Sequence, residues 1–377
     1  MTHTVSKDDY CVVFVGPIAV EGEVPIGGYE AANRRTILNL KFNKIDVITL
    51  PYPKVRSFFL WKTIDYAFGF AKILKLLCSL LRNKNKKNIC HITGLYKHFI
   101  YVELLFVIIA KILCGKVIYE IRAGSMFWHY NRRSIIYKFT FRKVLHISNI
   151  AGAQGREYFN FIETKTGKVP FYMPNYVDTI ASLHFSELRQ KELDETKTIH
   201  LIYFGRITLT KGIQTTIDIY NMMKEAGHSV TLCMIGLISS ECTVILNELI
   251  SKDKDVFITD GLPQEQIFNI LTRKHFFIFP TSHTGEGHSN ALTEAMANGC
   301  VPICSDAGFN NSVVGDCGII LPVHSCASKY VSAIINIVNE EKWLDLSEKA
   351  LNRIRNNFYA EKVVGNLISL YERMAQD

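Results

Sequence analysis

The chain has 377 residues, of which 48% are hydrophobic, so two domains of ordinary size can each bury a core. Its net charge of +8 is uneven: residues 1–180 hold 26 Lys and Arg against 12 Asp and Glu, which indicates an anionic partner, either nucleic acid or the inner face of a membrane. The most apolar stretch, residues 99–114, is too short to cross a bilayer and contains Glu103 and Lys111, which argues against a membrane-spanning helix there.

The first half of the chain alternates predicted strands with predicted helices. Gly27 and Gly28 precede the first helix, where a double glycine allows close backbone approach to a ligand or forms a plain turn. Residues 57–82 mix aromatics with lysines, which fits either a helix lying on anionic lipid or a core-facing helix with a solvated charge run. Strands are expected at residues 11–15, 45–50, 89–93, 116–120 and 144–148, and helices at residues 29–40, 99–113 and 154–161.

The second half repeats this alternation after a polar stretch, residues 179–198, that we expect to link two domains. Ser289 is expected to cap a helix, and the chain ends in a predicted helix at residues 361–375. The fold class is therefore α/β, with two doubly wound parallel sheets. Strands are expected at residues 199–204, 230–235, 256–259, 276–279 and 301–304, and helices at residues 213–226 and 262–271.

Charged residues follow several of the predicted strands. In an open α/β sheet, ligands bind outside the carboxyl ends of the strands. Glu120 and Arg122 leave one strand of the first half and either meet a ligand or form a structural ion pair. Arg206 and Lys211 leave the first strand of the second half, and Glu286 leaves another, so these groups should share one edge of the second sheet.

The helix that follows Glu286 indicates the chemistry. Its start offers unpaired N–H groups and a positive dipole end, which suit a phosphate. A nucleotide diphosphate that departs from a sugar develops negative charge, which Arg206, Lys211 and this helix start could stabilise without a metal. Glu294, on the second turn, is placed to accept hydrogen bonds from ribose hydroxyls, and Glu286 lies nearer the sugar.

The only Asp-x-Asp match, at Asp253 and Asp255, reads as a solvated turn rather than a metal site. The ten cysteines show no paired spacing, so free thiols in a reducing cytoplasm are expected, and the polar first ten residues predict no signal peptide.

The order Gly205-Arg206, Lys211-Gly212 and Glu286-x7-Glu294 resembles the signature of GT-B glycosyltransferases of family 4, the retaining enzymes. The resemblance implies two Rossmann-like domains that face each other across a cleft, with a last helix that crosses back to the first domain. The implied domains are residues 1–178 for the acceptor, residues 179–357 for the nucleotide sugar, and the returning helix at residues 358–377.

The resemblance also implies roles for individual residues. Arg206 and Lys211 would hold the diphosphate, Glu294 the ribose and Glu286 the donor sugar. Gly28 would approach the phosphate from the other side. The remaining donor-side positions are Gly205, Gly287, His288, Ser289, Asn290 and Ala291.

Two positions depart from the family pattern. Many members place a His after the strand that ends near Glu120, and here Glu120 or Arg122 is the sugar-side or acceptor-side candidate. His288 occupies a position that is often bulky and apolar; with His283 and Glu286 it could suggest a metal, but the loop spacing argues against one.

The predicted function is a retaining, metal-independent hexosyltransferase that uses a UDP-sugar, or else a GDP-sugar. Its expected acceptor is a lipid-linked saccharide at the inner membrane face, in bacterial O-antigen or capsule assembly, which implies a cytoplasmic or peripheral membrane protein. Two alternatives stay open at this point: a GT-B nucleotide-sugar epimerase, and a basic nucleic-acid-binding protein, although no RNA-binding or helix-turn-helix motif supports the latter.

Overall fold

A computed structural model describes residues 9–19, 28–53, 62–82, 87–97, 99–113, 115–122, 124–178 and 198–376. The chain divides into two compact units, residues 1–174 with 363–377 and residues 175–362. Each unit is built on one six-stranded parallel sheet, so the predicted α/β class is confirmed. The predicted link lies almost entirely outside the described residues.

The sheet of the first unit has the strand order β2-β1-β3-β4-β5-β6. Its central strands are buried along nearly their whole length, as expected for strands covered on both faces. The strands are β1 Tyr10–Gly16, β2 Asp46–Pro51, β3 Lys87–Gly94, β4 Val117–Ile121, β5 Ile150–Ala153 and β6 Phe171–Tyr172. The helices are α1 Gly28–Phe42, α2 Lys62–Arg82, α3 Ile100–Leu113, α4 Met126–Asn131, α5 Ile135–Ile147 and α6 Phe159–Thr166.

The sheet of the second unit has the order β12-β11-β10-β7-β8-β9, so the winding reverses between β7 and β10. Its strands are β7 Ile199–Phe204, β8 Val230–Ile235, β9 Val256–Thr259, β10 Phe276–Phe279, β11 Val301–Ser305 and β12 Ile319–Leu321. Its helices are α7 Ile213–Glu225, α8 Thr243–Lys252, α9 Gln264–Leu271, α10 Asn290–Ala297, α11 Asn310–Val314, α12 Ala327–Asn339 and α13 Trp343–Asn357.

One strand prediction is wrong. The sequence predicts a strand at residues 144–148, but Val144 is part of helix α5. Ser134 caps the start of this helix, where its hydroxyl accepts a hydrogen bond from Tyr137 N at 3.3 Å. Val144 and Phe141 are buried on the inner face of this helix. A short apolar run does not distinguish a strand from the buried face of a helix, because both place the same side chains in a core.

The aromatic and basic stretch at residues 57–82 forms α2 from Lys62 onward, and residues 57–61 lie outside the described part of the chain. Phe70 is buried and packs against Tyr52, Phe99 and Phe106, at ring centroid distances of 5.5 to 5.9 Å. Where its side chains are described, α2 therefore turns its apolar face to the core, which is the second of the two interpretations left open by the sequence.

Glu103, the carboxylate inside the apolar helix α3, is fully buried and ties three elements together. The Tyr119 hydroxyl donates to it at 2.6 Å, Leu95 N at 2.6 Å and the Tyr52 hydroxyl at 3.2 Å. Burial raises the pKa of Glu103, while these three donors oppose that rise. The polar residue in an apolar helix thus anchors the segments that leave β2 and β3.

The last helix, α14 Ala360–Gln376, returns to the first unit, as the fold prediction required. Its Tyr371 is fully buried, and the Tyr371 hydroxyl lies 2.6 Å from His91 Nδ1 on β3. Tyr371 also packs against Tyr10 of β1. The core of the first unit therefore contains residues from both ends of the chain.

No helix in the described ranges combines the length and the apolar character needed to cross a bilayer.

The carboxyl ends of β7 and β8 approach each other through two glycines. Gly205 N donates to Ile235 O at 2.9 Å. Gly236 has φ +148°, and a Cβ at that position would overlap the carbonyl oxygen of Gly205. Since Gly205 directly precedes Arg206, this close approach fixes the backbone from which Arg206 leaves the sheet.

We expect Gly236→Ala to lower the free energy of unfolding by about 1–3 kcal/mol more than Gly227→Ala, because the added methyl meets backbone that cannot move aside. Gly227 is the matched control: it has φ +83° but no atom within 4 Å of its Cβ position. Urea denaturation of both variants measures the difference. Equal losses would contradict the packing described for Gly205 and Gly236.

Candidate functional site

The candidate site lies at the carboxyl ends of β7 and β10, the adjacent parallel strands between which the winding of the second sheet reverses. Open α/β sheets bind ligands at such a point, because the two neighbouring loops turn to opposite faces and leave a crevice. The segment after β7 and the loop after β10 are joined here, since Ser282 N donates to Thr210 O at 2.9 Å. The prediction that both loops leave the same edge is confirmed.

Lys211 and Glu286 form an ion pair at this edge, with 2.5 Å between Lys211 Nζ and Glu286 Oε2. Their side chains are only 11% and 7% exposed. The Thr281 hydroxyl donates to the same carboxylate oxygen at 3.2 Å, and Lys211 Nζ lies 5.5 Å from the ring centre of Phe279. A carboxylate and an ammonium group, 75 residues apart in sequence, are therefore fixed side by side in a largely desolvated position.

The loop that carries Glu286 is supported from the next strand. Ser305, at the end of β11, donates through its hydroxyl to Thr281 O at 2.6 Å, and Asn310 Nδ2 donates to Ser305 O at 3.0 Å. The loop closes on itself where Glu286 N donates to His283 O at 3.0 Å. Sequence reasoning missed Thr281, although its position after β10 and next to Pro280 could have indicated it.

Helix α10 begins at the site, and Ser289 caps it as predicted. The Ser289 hydroxyl accepts a hydrogen bond from Leu292 N at 3.3 Å. The first N–H groups of a helix have no acceptor within it, and its dipole makes this end positive. The side-chain oxygen of Asn290 is buried and has no hydrogen-bond partner among the described residues. The helix start therefore offers donors and one unused acceptor beside the ion pair.

Glu294, on the second turn of α10, is 9% exposed and faces the start of α9. Gln264 Nε2 donates to Glu294 Oε1 at 3.2 Å. Gln264 was not identified from the sequence, and the only available signal was its position at a helix start after β9, at the same edge of the sheet.

His288, between the two glutamates, is buried and held on three sides. Asn175 Nδ2 donates to the His288 carbonyl at 2.6 Å, the Thr293 hydroxyl lies 3.4 Å from His288 Nδ1, and the Phe358 ring packs edge-on at 5.2 Å. Desolvation by burial lowers the pKa of His288 to about 3. The imidazole is therefore neutral at physiological pH and takes the structural place of an apolar side chain.

Gly205 and Arg206 leave β7 at the same edge but are exposed. The Tyr203 hydroxyl donates to the Arg206 carbonyl at 2.6 Å, and Ile207 N donates to Leu237 O at 2.9 Å. These bonds fix the peptide group between Arg206 and Ile207, while the Arg206 side chain is exposed. Arg206 is thus the solvent-facing cation of the site and Lys211 the buried one.

The predicted candidates of the first half lie in the first unit. Glu120 and Arg122 are buried and paired, with Arg122 Nε 2.8 Å from Glu120 Oε1, and His91 Nε2 lies 3.2 Å from Glu120 Oε2. This is the structural ion pair that the sequence left open, and a sugar-side role for it stays a prediction. Gly28 is exposed at the first residue of α1, and Gly27 lies outside the described residues.

The Asp-x-Asp match forms a surface ion-pair cluster. Lys224 Nζ lies 2.6 Å from Asp255 Oδ2 and 3.7 Å from Asp253 Oδ2, and the Tyr220 hydroxyl donates to Asp253 at 2.7 Å. Among the residues that the structure describes, no group of three or more His, Cys, Asp and Glu side chains is arranged to hold a metal ion.

We expect His288→Gln to remove part of the acid sensitivity of folding. The pKa of His288 is lowered in the folded state, so its contribution to stability is present above its unfolded pKa near 6.5 and is lost as the pH falls toward 3. Below about pH 6, the wild type should lose up to about 1.4 kcal/mol per pH unit relative to the variant. Urea denaturation of both proteins between pH 4.5 and 7.5 measures this difference, and parallel pH profiles would contradict it.

Residues 184–359 match the family described as Glycosyl transferases group 1. The capsular polysaccharide biosynthesis glycosyltransferase CapM of Staphylococcus aureus is 20% identical over 178 residues, which cover 46% of this chain and 46% of CapM. The matched region thus spans less than half of that curated relative.

Two solved structures show the fold of nearly the whole chain. Sucrose-phosphate synthase from Thermosynechococcus elongatus has a TM-score of 0.70 at 13% identity and covers 97% of this chain and 99% of its own. HepE of Anabaena, solved in complex with UDP, has a TM-score of 0.69 at 12% identity and covers 96% and 100%. The predicted GT-B fold is confirmed.

Proposed function

We propose that the chain is a retaining hexosyltransferase of family 4 that moves a sugar from a nucleotide-diphosphate donor to a saccharide acceptor. The observation that carries the proposal is the fixed Lys211–Glu286 pair at the point where the second sheet reverses, beside the start of α10. This arrangement combines positive groups suited to a diphosphate with a carboxylate suited to sugar hydroxyls. The family match over residues 184–359, which contain all of these groups, supports it.

In the proposed reaction, the bond between the anomeric carbon and the β-phosphate oxygen breaks as the acceptor oxygen bonds to the same face of that carbon. The acceptor proton passes to the departing phosphate, so no protein nucleophile is needed. Lys211, Arg206 and the first amides of α10 stabilise the charge on the diphosphate. Glu286 orients the donor sugar, and Glu294 accepts hydrogen bonds from the ribose.

We propose UDP as the nucleotide carrier, with GDP as the alternative. HepE of Anabaena, which shares the fold, has been solved with UDP and with UDP-glucose, and this supports the choice. The name of CapM supports an acceptor in surface polysaccharide assembly, where the growing saccharide would be linked to lipid at the inner membrane face. The basic first half of the chain is consistent with such an acceptor.

We expect Lys211→Ala and Arg206→Ala each to lower turnover by roughly two to three orders of magnitude, because each removes a positive group that stabilises the leaving diphosphate. The measurement is the release of nucleotide diphosphate across a panel of UDP- and GDP-sugars with a saccharide acceptor. Formation of an epimerised donor in the absence of acceptor would instead indicate an epimerase.

Lys224→Ala is the matched control, because Lys224 is a lysine of the same unit whose ion pairs lie at the surface. Lys211→Ala leaves Glu286 buried without its cation, which can cost about 3–5 kcal/mol of stability. Arg206→Ala avoids this problem because Arg206 is exposed. Near-normal turnover of folded Arg206→Ala and Lys211→Ala would refute the proposed roles.

We expect transfer to proceed at an unchanged rate in EDTA, since Lys211, Arg206 and the start of α10 take the place of a divalent cation on the diphosphate. The measurement compares initial rates in EDTA, in buffer alone and with added Mn²⁺. Activity that disappears in EDTA and returns with Mn²⁺ would contradict the proposed chemistry.

A further inference from the structure

One surface of the first unit exposes large apolar side chains together with cations. On α5 and in the segment before it, Ile135 is 83% exposed, Ile136 70%, Phe139 53% and Trp128 51%. Four large apolar side chains exposed within twelve residues of sequence are more than the scattered single apolar residues of an ordinary surface, and they mark a site of interaction. We call this surface the α5 patch; it comprises Trp128, Ile135, Ile136 and Phe139 with the cations Arg132, Arg142 and Lys143.

The exposed residues of α5 lie on one side of the helix. Six exposed residues fall within an arc of about 120° when α5 is viewed along its axis at 100° per residue. They are residues 135, 136, 139, 142, 143 and 146. The opposite side holds Tyr137, Phe141 and Val144, which are buried in the core. The apolar side chains of the patch are therefore not a misplaced part of the core, because α5 already has a separate core face.

The charge of this region is of one sign. Residues 121–156 contain no Asp or Glu, whereas residues 126–147 contain five Lys and Arg. The Arg132 guanidinium lies 4.2 Å from the ring centre of Trp128, and Lys143 Nζ lies 5.4 Å from that of Phe139. Each of these cations is thus held next to an exposed aromatic ring, which is the amphipathic pairing found at the boundary between lipid headgroups and acyl chains.

The neighbouring helix α3 also exposes apolar side chains. Tyr101 is 44% exposed and its ring packs edge-on to that of Tyr137 at 6.4 Å, while Leu105, one turn further, is 49% exposed. The first unit therefore exposes large apolar side chains on two helices that contact each other.

We propose that the α5 patch binds the surface of an anionic lipid bilayer. Ile135, Ile136 and Phe139 enter the boundary with the acyl chains, while Arg132, Arg142 and Lys143 contact phosphate headgroups. An anionic bilayer fits better than a protein partner, because residues 121–156 contain no acidic residue beside these cations, and because Arg142 and Lys143 share one exposed side of α5 with Ile135, Ile136 and Phe139. This inference deepens the proposed function, and it rests on that proposal for the lipid-linked acceptor.

Flotation of the full chain with vesicles tests the surface directly. Vesicles of phosphatidylcholine are compared with vesicles that also contain phosphatidylglycerol, at low and at high salt and without any donor sugar. We expect the wild type to float with the anionic vesicles. Ile135→Ser with Ile136→Ser should weaken binding about tenfold at both salt concentrations, because apolar contact is not screened. Arg142→Ser with Lys143→Ser should weaken it about tenfold at low salt only.

The matched control is Leu237→Ser with Val244→Ser in the second unit, two apolar residues that are 70% and 76% exposed. This variant should bind vesicles like the wild type. Circular dichroism of all variants confirms folding, and the substituted residues are exposed, so the core is left intact.

Three results would overturn the inference: failure of the wild type to float, normal binding by both α5 variants, or an equal loss in the control. Self-association that the Ile135 and Ile136 substitutions abolish, without wild-type vesicle binding, would assign the patch to a second copy and also refute it. Because the assay contains no donor, vesicle binding without sugar transfer would leave this inference standing while the proposed function failed.

Discussion

The contact between Lys211 and Glu286 is the interaction on which the second unit's site depends. It exists only because β7 and β10 are neighbours although they are far apart in sequence, so that the loops that leave them meet. Ser282 joins these loops by donating to Thr210 O through its N–H and its hydroxyl, and α10 begins a few residues later in the same loop. A cation and a carboxylate held in this way need little reorganisation to meet a polar ligand, which is the physical basis of electrostatic preorganisation.

The first unit depends on a different set of polar contacts. A buried network of hydrogen bonds and ion pairs joins His91, Glu120, Arg122 and Tyr371. Buried ion pairs are tolerated only where further hydrogen bonds satisfy their remaining atoms, and here His91 supplies one. Since Tyr371 comes from the last helix, the interior of the first unit is incomplete until the end of the chain has folded onto it. These contacts of Tyr371 with His91 and Tyr10 explain why α14 belongs to the first unit rather than to the unit that precedes it in sequence.

Two helices of the first unit combine aromatic and basic residues, and their environments differ. The described side chains of α2 place Phe70 in the core, whereas α5 leaves Ile135, Ile136 and Phe139 exposed. From sequence alone, the aromatic and basic composition of residues 57–82 was the more conspicuous signal of a lipid-facing helix. Composition cannot decide which side of a helix faces a neighbour, because the same residues serve a core or a surface according to what packs against them.

The sequence by itself determined the βα alternation, most strand positions, the Ser289 cap and the loops that carry Arg206, Lys211 and Glu286. These features follow from local rules, namely apolar periodicity, capping and the position of a loop after a strand. Only the tertiary structure decided the partner of Glu286, the pairing of Glu120 with Arg122 and the helical state of Val144. The partner of Glu286 and the burial of Val144 depend on segments distant in sequence, about which local preference contains no information. Glu120 and Arg122 are only two residues apart, but their spacing does not say whether such groups bind each other or a ligand, and only the fold shows that they pair.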